Sequence, residues 1–409
     1  MIHKIKLKFH EHTWLLPALY CITALFLALV TNYIDNHLKQ FLNERYTIIF
    51  TTKPELAKNV LATISGSLLT MTTITFSTIM VVLTTYSSQF SPRILRNFLN
   101  NRKTMHILGI FISGFLYSIV SLLLMRNIEP DSNVITGTVA VILACVCIAF
   151  FGYFIQFVGK SIQVENLIES IAERTHKLIQ EERDKFDDEY FKGAASEPVV
   201  PEDYFVQSIK SGDTGYIQFI NREALLKYAQ EHDLVIKINV SISDFIFDNT
   251  VVLTIYCEED KLDDVKIEVG SYFVFSNQQR ELYDFKYSIE KIVDIAVRAL
   301  SPGINDPNTA IECIHKLSVI VIDYYRVDAN YALIEDGDGV GRLFYKRISK
   351  EAMLELAFLQ IIHYGKTDHK LMAKVEYAIN SIGNNSAIDE ETIERFKREH
   401  VYNNIPVTD

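Results

Sequence analysis

The sequence predicts a mainly α membrane protein: a four-transmembrane-helix bundle, then a cytoplasmic α/β domain of small β-sandwich-like form, then C-terminal helices. Three observations lead to this fold class. The chain has 409 residues, 49% of them hydrophobic, and its long uncharged apolar runs lie before Lys160. Four of these runs reach the length of about 20 residues that crossing a bilayer requires. After Lys160, short β-branched runs and amphipathic stretches alternate, as is typical of a soluble domain.

The four apolar windows define the first domain, residues 1–159. They cover residues 14–34, 60–83, 105–125 and 134–158. Basic residues concentrate before the first window and between the second and third, and the positive-inside rule assigns such segments to the cytoplasm. We therefore expect both termini in the cytoplasm. Ser91 and Pro92 predict the start of a short basic helix after the second window.

Charge and composition exclude several function classes. The formal net charge is −11, which argues against a nucleic-acid partner because such a partner favours a basic surface. The windows contain no Asp, Glu, Lys or Arg, which argues against a proton-coupled pump. The five cysteines lack the spacing of a disulfide framework or a metal site. No catalytic constellation stands out, so we expect no enzyme activity, cofactor or metal.

The second window carries an unusual number of hydroxyl groups. On a helical wheel, hydroxyls and two apolar residues form one stripe: Thr63, Ser67, Thr70, Ile74, Ser77, Val81, Thr85 and Ser88. Such a stripe can face water in a pore, and apolar rings within it can close the pore by dewetting. Alternatively, the hydroxyls bond to their own helix and the small residues pack against other helices. Thr72, Thr73 and Thr75 lie off the stripe, which favours packing.

The second half of the chain divides into three segments. Residues 160–192 are predicted to form a charged connecting helix, with apolar residues spaced 4,3,4,3 along two heptads. That spacing indicates self-association or docking onto the next domain. Residues 193–203 have the composition of a linker. Residues 204–409 are predicted to form the cytoplasmic α/β domain and the helices that follow it.

Two motifs carry a resemblance to a known family. They are TGYIQ at 214–218 and YDFKYSIEKIVDIAVRALSPGINDPNTAIECIHKL at 283–317, of which RALSPGINDPNTA is the most specific part. With the four apolar windows, they make the chain similar to a bacterial family of predicted membrane proteins, domain of unknown function 2254. The resemblance covers essentially the whole chain. It implies a helical bundle with a cytoplasmic domain in the bacterial inner membrane, and it implies no established activity.

The SPGIND corner within the longer motif admits two interpretations. Pro302 ends one helix, Asp306 caps the next, and Pro307 occupies its first position, which gives a complete structural account. Alternatively, Arg298, Asn305 and Asp306 form a ligand or interface site at the N-terminus of the second helix. The carboxylate of Asp306 would occupy the place of an anionic ligand, which argues for the structural interpretation.

These observations lead to two functional hypotheses. The first is a homo-oligomeric channel for small ions, lined by the hydroxyl stripe, constricted at Ile74 and Val81 and modulated by the cytoplasmic domain. Four spans with one polar stripe cannot enclose a pore alone, so this hypothesis requires self-association. The second is a membrane-anchored sensor or scaffold whose cytoplasmic domain binds a ligand or a partner. The expected partners are thus the bilayer, other copies of the chain, and small ions or an unknown ligand.

Overall fold

The computed structural model describes residues 15–41, 51–90, 102–129, 132–259, 267–279 and 284–402. The chain forms two compact units, Met1–Gln163 and Val164–Asp409. The basic helix predicted to begin at Ser91 lies outside the described residues.

The described residues of the first unit form four long helices. They are α1 Leu15–Phe41, α2 Pro54–Thr85, α3 Arg102–Leu124 and α4 Thr136–Ser161. Each contains a stretch long and apolar enough to cross a membrane, which confirms the four predicted apolar helices. Each also extends past its predicted window at one end at least. A π-helical turn, Tyr86–Phe90, continues α2, and a 3₁₀ turn, Met125–Asn127, continues α3.

Helix α3 packs against the other three helices. Its glycines make this possible, because a Cβ on Gly109 would lie 2.5 Å from the ring of Tyr20. A Cβ on Gly114 would lie 2.9 Å from the sulfur of Cys147. Small residues at such points let helices approach closely, and the resulting contacts stabilise apolar helical bundles.

The second unit is a mixed α/β domain followed by helices, as the sequence predicts. Its strands are β1 Phe191–Ala194, β2 Phe205–Lys210, β3 Gly215–Ile220, β4 Val235–Ile238, β5 Phe245–Ile246, β6 Val251–Cys257, β7 Phe273–Ser276, β8 Tyr331–Glu335 and β9 Gly341–Lys346. Its helices are α5 Val164–Arg183, α6 Arg222–Glu231, α7 Val269–Tyr272, α8 Phe285–Ala299, α9 Pro307–Tyr324, α10 Lys350–Leu354, α11 Gln360–Gly365, α12 His369–Asn385 and α13 Glu390–Phe396.

The strands form two sheets around a shared hydrophobic core. The larger sheet has the order β1-β8-β9-β4-β6-β2, and the smaller has the order β5-β3-β7. Buried residues of both sheets, among them Ile217, Ile236 and Phe273, belong to one cluster. Pairing is antiparallel throughout these described sheets except between β4 and β9, which run parallel with Ile236 opposite Leu343. The larger sheet exceeds the expected small sandwich because β8 and β9 join it from beyond α9.

The helices of the second unit pack around α9, which contacts α5, α8 and α12. The heptad spacing predicted for the connecting helix falls on the buried side of α5, at Ile168, Ile171 and Thr175. That seam therefore docks onto helices of its own unit, which is one of the two outcomes expected from the sequence.

The predicted connecting helix 160–192 differs from the structure in two respects. The helix is interrupted between Ser161 and Val164, where Gln163 N–H bonds to the carbonyl of Lys160 three residues earlier in a tightened turn. It then ends at Arg183. The start of the predicted linker 193–203 belongs to β1, because Phe191 enters the core and the strand pairs with β8.

Candidate functional site

The predicted hydroxyl stripe lies on the outer surface of the four-helix unit. Seven of its eight members are exposed and Thr85 is half-buried. Its two apolar members, Ile74 and Val81, are 47% and 63% exposed. We call the whole stripe the hydroxyl face: Thr63, Ser67, Thr70, Ile74, Ser77, Val81, Thr85 and Ser88.

The opposite side of α2 builds the core of the unit. Leu61, Leu68 and Val82 are buried there. Thr75, which lies off the stripe, is 1% exposed and donates its hydroxyl to the carbonyl of Met71 at 2.9 Å. Thus α2 turns some hydroxyls, such as that of Thr75, toward the core, whereas the hydroxyl face points away from it. Thr73 and Thr84 are also exposed, although they lie off the stripe.

Most hydroxyls of this face already donate one hydrogen bond. Thr63, Ser67, Thr70 and Thr85 each donate to the carbonyl four residues earlier, at 2.8, 2.9, 3.1 and 3.0 Å. This is the bonding that the packing alternative predicts. A hydroxyl that donates still has lone pairs that can accept a bond. The side-chain hydroxyl of Ser77 forms no hydrogen bond with any described residue.

A buried carboxylate lies near the end of α1, where the sequence predicts none. Asp35 is 5% exposed and accepts a hydrogen bond from the backbone N–H of Ile135 at 2.6 Å. Its second oxygen accepts bonds from the N–H and hydroxyl of Thr136. Tyr117 of α3 donates toward Thr31 and the carbonyl of Thr136, both at 3.3 Å. Asp35 therefore caps the first turn of α4 from another helix.

Asp35 lies within the candidate membrane-spanning stretch Leu15–His37, whereas the predicted window 14–34 contains no Asp, Glu, Lys or Arg. The first predicted window ended at residue 34, one position before Asp35, because hydropathy falls there. The structure continues α1 to Phe41 and buries the carboxylate. The signal that could have revealed it is a lone Asp beside an apolar run. Such a carboxylate can accept hydrogen bonds from the unpaired N–H groups at the start of a neighbouring helix.

The SPGIND corner has the geometry of its structural interpretation. Asp306 accepts bonds from Thr309 N–H at 3.2 Å and from the Thr309 hydroxyl at 2.6 Å, and Pro307 starts α9, which confirms the predicted cap. Asn305 adopts a positive φ of 51°, and its N–H bonds to the carbonyl of Ser301 at 2.9 Å. Arg298 is exposed on the last turn of α8. The α9 N-terminus is thus already occupied by its own carboxylate, and a ligand site at Arg298, Asn305 and Asp306 stays a prediction.

One known protein family matches most of the chain. A family model described as a predicted membrane protein, domain of unknown function 2254, matches residues 10–380. The chain belongs to this family. The match confirms the resemblance carried by the TGYIQ and RALSPGINDPNTA motifs. This family description fits the four apolar helices, and it indicates no activity.

Relatives of the chain occur in mycobacteria. An uncharacterised protein of Mycobacterium tuberculosis is 27% identical over 358 residues, which cover 83% of this chain and 66% of the relative. An uncharacterised protein of Mycobacterium bovis shows the same identity and coverage. The chain therefore spans less than two thirds of the length of these family members. No solved structure matches the chain.

Proposed function

We propose that the protein is a homo-oligomeric channel for small ions in the bacterial inner membrane. The supporting observation is the hydroxyl face, an exposed row of polar groups on an apolar helix. Hydrocarbon offers no hydrogen-bond partners, whereas water in a pore, or a second copy, offers several. Ser77, which has no partner among the described residues, gains most from such surroundings.

The proposal requires several copies of the chain. In one chain the core side of α2 packs against α3 and α4, and the hydroxyl face points outward. A closed ring of copies would turn these outward faces toward a common axis, as heterologous contacts in cyclic oligomers do. Ile74 and Val81 would then form apolar rings among the hydroxyls, and such rings gate by dewetting.

The proposal also assigns a membrane topology and a set of partners to the protein. Both termini lie in the cytoplasm, as the positive-inside rule predicts, and the Val164–Asp409 unit modulates the pore from that side. The hydroxyl face contains no acidic or basic residue. We therefore expect weak discrimination by charge at the face itself, with the bilayer, other copies of the chain and small ions as partners.

Planar-bilayer recording of the purified protein tests the proposal. Ile74→Ser replaces an apolar ring by a wettable one and should raise the open probability several-fold, whereas Ser77→Leu should abolish the current. Ile142→Ser on α4 is the matched control, because Ile142 is 57% exposed and lies outside the hydroxyl face. Its current should equal that of the wild type. Absence of current from the wild type and from Ile74→Ser would contradict the channel.

The second candidate function is a membrane-anchored sensor or scaffold. The internal bonds of Thr63, Ser67, Thr70 and Thr85 favour it, because they leave those hydroxyls satisfied without water. Oligomeric state separates the two proposals: a monomer in detergent and in nanodiscs would favour the sensor or scaffold, and a ring of copies would favour the channel.

A further inference from the structure

The second unit holds a cationic cavity at the one place where its described strands run parallel. The cavity has a volume of about 360 Å³ and lies where β4 and β9 end, lined by Lys237, Asn239, Ser241, Tyr331, Lys346 and Arg347 among others. Cavities of this size are typical of small-molecule sites. Ligands of open sheets also tend to bind at the carboxyl ends of parallel strands.

The charges around this cavity do not balance. None of the described residues that line it is acidic, whereas three are basic. Lys346 is exposed and forms no salt bridge with a described residue, although its charge helps to lower the pKa of Glu197. Arg347 is 6% exposed, and its guanidinium donates to the carbonyls of Val327 and Ala329 at 2.9 and 2.8 Å rather than to a carboxylate. Lys346 and Arg347 therefore have no salt-bridge partner among the described residues, although Glu197 offsets part of the charge of Lys346.

The third positive charge is held by a carboxylate from the segment before β2. Glu197 forms a salt bridge with Lys237 and accepts a hydrogen bond from the hydroxyl of Tyr331 at 3.2 Å. The hydrogen bond from Lys237 holds the pKa of Glu197 below its usual value. Because Glu197 is 41% exposed, its hold on Lys237 is open to competition from solvent. Glu197 thus acts as an internal anion at the edge of the cavity.

A neighbouring cavity of about 340 Å³ differs from the first in the charges of its lining residues. It shares Tyr331, Lys346 and Arg347 with the first, but its lining includes Glu351 and Asp389. Its additional lysine, Lys350, is already paired with Asp328 at 3.2 Å and with Asp389 at 3.5 Å. The two acidic residues therefore offset most of the positive charge of the second cavity, whereas the lining of the first contains none, so the first favours an anion more strongly.

We propose that the cavity between the ends of β4 and β9 binds a small phosphate-bearing molecule, which competes with Glu197 for Lys237. Lysine ammonium groups bind phosphate as point charges, and Asn239 and Ser241 add side-chain donors. Tyr331 offers an aromatic surface for an organic part of the ligand. The site is independent of the channel proposal, and it would also serve a sensor.

Isothermal titration of the full-length protein in detergent with inorganic pyrophosphate tests the site. Lys346→Gln should weaken binding by about tenfold or more, since it removes a charge-assisted contact. Glu197→Gln should strengthen binding several-fold, because it removes the competing carboxylate. Lys227→Gln on α6 is the matched control, since Lys227 is 75% exposed and does not line the cavity. Its affinity should match that of the wild type.

Opposite changes for Lys346→Gln and Glu197→Gln, with Lys227→Gln unchanged, would support the site. Equal affinities across the variants would overturn it, as would the absence of binding by both the wild type and Glu197→Gln. Adding vesicles of anionic phospholipid separates a lipid headgroup from a soluble ligand. Loss of pyrophosphate binding in their presence, at constant free pyrophosphate and ionic strength, would overturn the assignment to a soluble molecule.

Discussion

At the scale of single residues, the carboxylate of Glu182 at the end of α5 is held by several charged and hydrogen-bonding neighbours. Its side chain is 19% exposed and lies 2.6 Å from the Lys185 ammonium and 3.7 Å from Arg222. The hydroxyl of Tyr345 donates to it at 2.8 Å. Burial acts to raise the pKa of Glu182, but these charges and hydrogen bonds outweigh burial and hold it at about 2.

The lowered pKa of Glu182 predicts how the free energy of unfolding changes in acid. A carboxyl whose pKa is lower in the folded state stabilises the fold above its unfolded pKa of 4.5 and loses that contribution as the pH falls toward 2. Glu182→Gln should therefore reduce the free energy of unfolding by roughly 3 kcal/mol at pH 7. The difference from wild type should shrink between about pH 4.5 and 2. Urea unfolding followed by circular dichroism measures it, and a difference independent of pH would contradict the assignment.

Residue-level prediction from the sequence succeeded where the signal is local. The Asp306 cap and the helix start at Pro307 follow from neighbouring residues. The cavity beside Lys346 could not be predicted in this way. Its residues come from β4 and β9, which are far apart in the sequence, and only the parallel pairing brings them together.

At the scale of elements, the start of α4 depends on a residue of α1. Asp35→Ala would leave the N–H groups of Ile135 and Thr136 without their carboxylate partner. We expect this to destabilise the four-helix unit by about 1–3 kcal/mol and to lower its thermal midpoint in detergent. Glu129→Ala is the control, because Glu129 is exposed. Equal midpoints for Asp35→Ala and Glu129→Ala would show that the cap is dispensable.

Element boundaries show why prediction from the sequence was incomplete. The four apolar helices were predictable because length and hydropathy are summed over many residues. The break between α4 and α5 was not, since the amphipathic pattern resumes after two residues. Strand β1 was not predicted, because part of it has the composition of a linker. Its pairing with β8 depends on a distant part of the chain.

At the scale of the whole molecule, the chain separates into an apolar helical unit and a mixed α/β unit. The first presents the hydroxyl face outward, and the second contains the cationic cavity. The proposed channel and the proposed ligand site lie on separate units of one chain, and together they are the parts that a ligand-controlled conductance would use. Coupling between them would require the ligand to bind one conducting state more tightly than another.

The most direct test of the channel is the water accessibility of position 77. Ser77→Cys and Ile148→Cys would be placed in a Cys145→Ala background, because Cys145 is exposed. The reconstituted variants would then be treated with a charged, membrane-impermeant thiosulfonate reagent. Ile148 is 62% exposed on α4 and lies off the hydroxyl face, so the channel proposal places it on the surface that faces lipid. We expect rapid modification of the cysteine at position 77 and none of the cysteine at position 148. Equally slow modification at both positions would contradict a water-filled path along α2.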